Sequence, residues 1–338
     1  LTERSASFDR GDVLEALAGS LVADADAATL GRLADTFLSS GLAAPLVEAS
    51  TGRPRFIVTD ADGATAPVLS EVRWTTPNLV EQEAQILAWA RDGFGAPVPT
   101  ATADAVEAAL AARSILGDEQ IAIVQAVCGE SEAVQAVVGR AGSGKTTAVG
   151  ACAEAFAASG VPVVGCSVSA TAAARLEEAT GLALLTGRPC ETIARLLVEL
   201  DDPVGGGFSP GTVCVVDEAS TLGTRDFAQL AAHLARAGGK LVLVGDPDQL
   251  SSVDVGGAFR AIVAERGEAV PTLTANRRQR DEEERAAVAD FREGRIAEAL
   301  ARYDASGKIV RSPTLSVSLD AMVADWYSDP LAGIDAPM

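Results

Sequence analysis

The amino-acid sequence predicts an α/β fold, a parallel sheet flanked by helices, and three observations carry that expectation. The runs "AVQAVV", "VPVVGCSV", "TVCVVD" and "KLVLVGD" are nearly continuous in apolar residues, the texture of strands buried on both faces. Helical patterns lie between those runs, as the crossovers of a parallel sheet require. The stretch "VVGRAGSGKTTA", residues 137–148, sets a glycine-rich turn between a strand and a helix. A length of 338 residues suggests two or three domains, and 48% hydrophobic residues suffice for a packed core.

Along the chain, residues 1–95 read as a small, mainly helical connecting region. "GDVLEALAGSLV" and "AATLGRLADTFLSS" have helical apolar spacing, and "RFIVTDADGATAPVLSEVRW" predicts two short strands around a DG turn. "NLVEQEAQILAWAR" predicts another amphipathic helix, with Trp89 in the core. "DGFGAPVPTATA" has the composition of a linker. Residues 96–271 carry the alternating strands and helices, and residues 272–338 read as helical, most clearly in "DEEERAAVADFREGRIAEALARY". No internal repeat stands out. The chain opens on Leu1 and closes on "DPLAGIDAPM", and reads as a piece of a longer polypeptide.

No apolar run approaches the roughly 18 residues of a membrane span, and no signal peptide opens the chain. The expected location is the cytoplasm, without membrane insertion. The five cysteines form no CxxC pair and are odd in number, which points to reduced, buried thiols and away from a metal site. The net charge of −20 excludes a protein that merely coats nucleic acid, which would be basic. Any DNA contact must use a local groove, with the acid spread over the outer faces. Only Lys145, Lys240 and Lys308 are lysines, and the other basic residues are arginines.

The glycine-rich turn sits where its physics requires. Gly139, Gly142 and Gly144 let the backbone turn its N–H groups inward around phosphate oxygens, with Ser143 between them, at the positive end of a helix. Lys145 would reach the outer phosphates of ATP, and Thr146, followed by Thr147, would place its hydroxyl on Mg²⁺. "VCVVDEAS" delivers Asp217 and Glu218 at the carboxyl end of a strand, the edge where open α/β sheets bind ligands. Asp217 would hold Mg²⁺ and Glu218 would orient the water that attacks the γ-phosphate. "LVLVGDPDQLSSVDVGGAF" offers Asp246 and then Gln249 at the same edge, where the Gln249 amide could sense that phosphate.

In this order "GRAGSGKTT", "VVDEAS", "GDPDQL" and "LTANRRQ" resemble the RecD-like branch of superfamily 1 DNA helicases. The resemblance implies a P-loop NTPase with a RecA-like first motor domain, followed by a second RecA-like domain that is incomplete here. It implies that "ILGDEQIAIV" reads adenine through Gln120, and that Arg278, rather than Arg277, reaches the γ-phosphate from the second domain. In "CSVSATAAARLEE" it assigns Ser169 and Thr171 to phosphates of single-stranded DNA, although many relatives have a basic residue where Thr171 stands. "ETIARLL" with "DDPVGGGFSPGT" falls where such helicases carry a duplex-splitting hairpin, here very short.

Within that branch, "LTERSASFDRGDVLEAL", "RWTTPNLVEQEAQILAWA" and the stretch after the RRQ segment resemble MobF-type conjugative relaxases, which join a DNA-nicking domain to a helicase. The nicking chemistry needs three histidines and a tyrosine, and this chain has only His233, so nicking cannot reside in it. The leading expectation is an ATP-dependent helicase or translocase module moving 5′ to 3′ on single-stranded DNA, with the conjugative transfer machinery as partner. A RecD-type repair helicase and a non-translocating docking module are the alternatives.

Overall fold

A computed structural model of the chain describes residues 7–20, 26–46, 56–59, 65–68, 73–95, 97–113, 115–140, 143–249, 257–274 and 281–328. The chain divides into two compact units, Leu1–Ala275 and Asn276–Met338. In the first, α1 (Arg10–Ser20) and α2 (Ala27–Leu38) pack around Phe8, Val13, Ala34 and Ala43. Asp26 starts α2 by accepting the Thr29 N–H on its side chain, the usual remedy for an unpaired helix-end donor. Strand β1 (Ala44–Leu46) precedes the hairpin of β2 (Phe56–Thr59) and β3 (Thr65–Val68), and β4 (Arg73–Thr75) returns to pair antiparallel with β1. The hairpin is the strand pair expected from the sequence; its DG turn lies outside the described residues.

Helix α3 (Pro77–Asp92) opens on a proline, whose missing N–H costs nothing at a helix start. Its Ile86 and Ala90 belong to the same apolar core as the central sheet, and Trp89 packs edge-on against Phe94 at 5.8 Å. The Gly/Pro-rich stretch that follows is tied down rather than free. Ala101 N–H donates to the Cys128 carbonyl and Thr102 N–H to Ser159 Oγ, both at 2.9 Å.

The sheet domain proper then runs α4 (Ala103–Ala111), α5 (Asp118–Gly129), β5 (Val134–Gly139), α6 (Lys145–Ala158), β6 (Val163–Ser167), α7 (Ala170–Thr180), α8 (Leu182–Thr186), β7 (Glu191–Thr192), α9 (Ile193–Leu200), β8 (Val213–Asp217), α10 (Thr224–Ala237), β9 (Lys240–Gly245), α11 (Ala258–Arg266) and β10 (Thr272–Leu273). Six strands pair in the order β10-β5-β9-β8-β6-β7, every pair parallel. This is a RecA-like P-loop α/β fold. Every residue of β5, β6, β8 and β9 is buried. Alternation along β9 divides the interior: Leu241 and Leu243 join Phe227, Leu230 and Phe259 on one face, and Val242 and Val244 join Ile123, Val149 and Phe156 on the other. Burying one such side chain stabilises the fold by about 1.5–3 kcal/mol.

Lys240, at the start of β9, is fully buried, and its Nζ donates to the carbonyls of Val127 and Glu130 at 2.7 Å each. It closes the C-terminal end of α5, where carbonyls lack helical partners. Burial pulls its pKa down to about 8 from an ordinary 10.5. A neutral amine still has two N–H groups for the two carbonyls. Below about pH 8 the lysine is protonated both folded and unfolded; above it the folded form releases the proton first. Its contribution therefore rises with pH across the window from about 8 to 10.5, by at most about 3 kcal/mol. Lys240→Met would take the donor from the buried Val127 carbonyl and the part-buried Glu130 carbonyl and is expected to destabilise the protein by about 2 kcal/mol at pH 7. Urea unfolding at pH 7 and pH 10 checks this, with the gap between wild type and variant widening at the higher pH.

The second unit contains α12 (Glu282–Arg292), α13 (Ile296–Ala305) and α14 (Leu315–Ser328), with no strand among its described residues. Asp281 caps α12, and Glu282, Glu283 and Glu284 occupy its first turn, where the helix dipole favours negative charge. Asp290 joins α12 to α13 by accepting from Arg295 and from Arg302 Nε at 2.8 Å. Those guanidiniums, Arg295 first, hold its carboxyl below the usual range. Among the described residues, no helix of either unit is long and apolar enough to cross a membrane. Cys128, Cys152, Cys166 and Cys214 are buried and Cys190 is half-buried, all as free thiols.

Candidate nucleotide-binding site

Parallel strands in register deliver the sequence motifs to one edge of the sheet. Val138 lies opposite Gly245, Leu243 opposite Val216, and Asp217 opposite Ser167. The carboxyl ends of β5, β9, β8 and β6 are thus side by side, the crevice in which such sheets take ligands.

At the end of β5 the glycine-rich turn folds back on itself. Gly144 adopts a left-handed conformation, φ +83°, and launches α6, a geometry that glycine takes without strain. Lys145 opens α6, and its Nζ donates to the Gly139 carbonyl at 2.5 Å. A Cβ on Gly139 would stand 2.2 Å from Lys145 Cγ and 2.5 Å from Cδ; only glycine leaves room for the lysine chain. Ser143 is buried, and its Oγ has no hydrogen-bond partner among the described residues. Thr146 and Thr147 follow in the first turn of α6, partly buried. Gly142 lies outside the described residues.

At the end of β8, Asp217 Oδ1 accepts the Glu218 N–H at 2.9 Å, and Ser167 Oγ donates to the Asp217 carbonyl at 3.0 Å. Burial pushes the Asp217 carboxyl up, opposed by the Glu218 N–H and by the charge of Lys145. Glu218 sits at φ +55°, the one non-glycine with positive φ among the described residues. Its carbonyl accepts both the N–H and the hydroxyl of Thr221, which fixes the sharp exit from β8. Ser220 Oγ, just beyond, is buried without a partner among the described residues.

At the end of β9, Asp246 is buried, and its Oδ1 accepts the Asp248 N–H at 3.1 Å. A Cβ on Gly245 would meet the Phe259 ring and the Ser220 nitrogen at 3.0 Å, so the acidic turn and this turn are in close approach. Arg260 on α11 clamps the turn by donating to the carbonyls of Pro247 (3.1 Å) and Gln249 (3.5 Å). The Gln249 side chain is exposed at the rim.

The remaining sequence-derived residues fall elsewhere. Gln120 is 2% exposed; its Oε1 accepts from Gly117 N–H and its Nε2 donates to the Gly144 carbonyl. It therefore lies against the glycine-rich turn with both amide atoms bonded to protein. Ser169 caps α7 by accepting the Ala172 N–H, and Thr171 is exposed in the first turn. The stretch after α9 is a compact loop closed by Gly206 N–H on the Asp202 carbonyl, with no hairpin strand among the described residues. His233 lies buried on α10 with its Nε2 2.9 Å from Asp201 Oδ1. Arg277 and Arg278 lie outside the described residues.

Sequence reasoning missed Ser167, Arg260 and the pairing of Glu119 with Thr274 N–H (3.0 Å), which anchors the exit from β10. Each depends on strand register or on partners far along the chain, which no local pattern reveals. The edge fits a nucleoside triphosphate and a divalent cation. It offers at Ser143 a buried hydroxyl with no partner among the described residues, a helix start, a lysine, and a carboxyl at Asp217 that added positive charge would relieve.

A parallel sheet with a glycine loop, a lysine and an adjacent acidic pair, its aspartate buried, at one edge defines a P-loop nucleoside-triphosphate-binding protein. The chain belongs to the AAA domain family (AAA_30), whose model matches residues 115–314. It is 34% identical over 275 residues to a probable conjugal transfer protein TraA of Sinorhizobium fredii, which covers 80% of this chain and 23% of that protein. A conjugal transfer protein TraA of Agrobacterium fabrum is 33% identical over 260 residues, covering 76% of this chain and 22% of its own. The ATP-dependent RecD2 DNA helicase of Deinococcus radiodurans is 32% identical over 167 residues, covering 48% and 21%. The chain thus spans less than a quarter of the length of these relatives.

Proposed function

We propose that this chain is an ATP-dependent DNA helicase or translocase module of a conjugative relaxase-helicase. The observation that carries the proposal is that strand register brings the glycine loop with Lys145, the buried Asp217 and the adjoining Glu218 to one edge of the sheet. Lys145 binds the outer phosphates, helped by the N–H groups around Gly139, Gly142, Ser143, Gly144 and Thr147. Thr146 and Asp217 would hold Mg²⁺, which when bound neutralises phosphate charge. Glu218 orients the attacking water and takes its proton. Gln249 senses the γ-phosphate from the clamped turn. Arg278 would stabilise transition-state charge, a contribution of about 10³–10⁵ in rate for such arginines. Residues 1–95 form the connecting region and residues 96–271 the first motor domain.

Single-stranded DNA is the partner, gripped at Ser169 and Thr171, with travel 5′ to 3′, and the parent protein works in the cytoplasm with the transfer machinery. The net charge of −20 repels DNA from most of the surface, so binding must be local and steeply salt-dependent. A RecD-type repair helicase would share the same core. The match to the TraA relatives covers 80% and 76% of the chain against 48% for RecD2, which favours the conjugative reading. Phosphate release with and without single-stranded DNA tests the motor. Stimulation of about tenfold is expected, as for a cycle in which DNA completes the closed state. Tight DNA binding with no change in turnover would leave the docking module as the correct reading.

A further inference from the structure

We infer that Ser167 is a positioning residue for hydrolysis: its hydroxyl holds the peptide between Asp217 and Glu218 and so sets where the Glu218 carboxylate stands. The inference rests on the nucleotide-site reading above and adds one residue to it. Glu218 has φ +55°, a left-handed backbone that a residue with a Cβ keeps only when its surroundings over-determine it. The surroundings do so from both sides. Ahead of Glu218, the Asp217 carbonyl accepts from Ser167 Oγ at 3.0 Å, and the N–H of the same peptide donates to Asp217 Oδ1 at 2.9 Å. Behind it, the Glu218 carbonyl accepts the Thr221 N–H at 2.9 Å and the Thr221 hydroxyl at 2.8 Å. With both planar peptides fixed, the direction in which the Glu218 side chain leaves the backbone is fixed as well.

Three of these four bonds close within Asp217–Thr221. The bond from Ser167 ties the turn to a neighbouring strand. Ser167 is the last residue of β6, lies opposite Asp217 in register and has no exposed surface. Removing its hydroxyl takes a donor from a buried carbonyl, which is costly where water does not replace it. Rotation of that peptide would relieve the strain at Glu218 and swing its carboxylate away. A shift of about 1 Å in a reacting group can lower the rate by about 10²-fold. A serine that served the fold alone would change the melting temperature and leave the rate per folded molecule untouched.

The test measures ATP turnover by the whole chain for wild type, Ser167→Ala, Glu218→Gln and the double variant, with a melting curve for each. Ser167→Ala is expected to lower kcat by about tenfold to a hundredfold. KM for ATP should stay within about threefold of wild type, because the turn that holds the phosphates follows β5, with β9 and β8 between it and β6. In the Glu218→Gln background no carboxylate is left to place, so Ser167→Ala should change the residual rate by less than about twofold. Ser167→Cys nearly keeps the size but offers only a weak donor; its kcat should lie between wild type and Ser167→Ala, and below wild type even where the alanine variant fails to fold. An unchanged kcat in either folded variant overturns the inference. So does a loss carried by KM alone, or a loss of about tenfold that persists in the Glu218→Gln background. Wild-type turnover in Glu218→Gln, or a wild type that hydrolyses no triphosphate, defeats the reading of the site and the inference with it, an outcome distinct from the others.

Discussion

Lys145→Ala is expected to lower ATP turnover by a factor on the order of 10²–10³ or more, the loss typical when one charge-stabilising donor leaves a closed site. The fold should survive, because the side chain is only partly buried and its bond to the Gly139 carbonyl sits at the rim of the sheet. A hydrogen bond of that kind contributes about 1 kcal/mol net. The change acts on the neighbouring carboxylate as well. After the Glu218 N–H, the charge of Lys145 is the second influence that counters the upward push of burial on Asp217, so its removal raises the Asp217 carboxyl further and weakens the seat for a divalent cation. Phosphate release, a magnesium titration and a melting curve measured together check the prediction. Near-normal turnover in a folded variant would refute the proposed site.

Glu218→Gln should lower turnover by about 10²–10⁴, the range for loss of a general base, while nucleotide binding persists. A glutamine keeps the shape and the left-handed backbone but cannot take a proton from water. Glu218→Gly separates chemistry from strain. A side chain at φ +55° carries a penalty on the order of 1 kcal/mol that glycine does not. That variant should be inactive yet melt higher by about 2–4 °C, the scale for a domain of this size. A lower melting temperature together with retained hydrolysis would remove Glu218 from the catalytic role.

The strands and the glycine loop were legible because their signals are local. Continuous apolar runs mark buried parallel strands, and the spacing in "GRAGSGKTT" declares a turn before a helix. Partners distant in sequence were not legible. The periodicity of α3 tells which of its faces is apolar but not that Ile86 would share a core with β9. Lys240 reads as an ordinary lysine at a strand start until α5, more than a hundred residues earlier, is found to end against it. Gln120 matches a base-reading pattern by position, yet its bonds depend on Gly144, 24 residues further on. The register that sets Ser167 opposite Asp217 follows from which strands become neighbours, and a linear pattern does not carry that order.

The buried strands stop where the reactive groups start: β5 at Gly139, β8 at Asp217 and β9 at Gly245. Durability and chemistry therefore answer to different positions. A descendant could trade Glu218 for glycine and gain robustness in the same step, keeping its shape. Loss of that carboxylate is thus one substitution away, and folding would raise no objection.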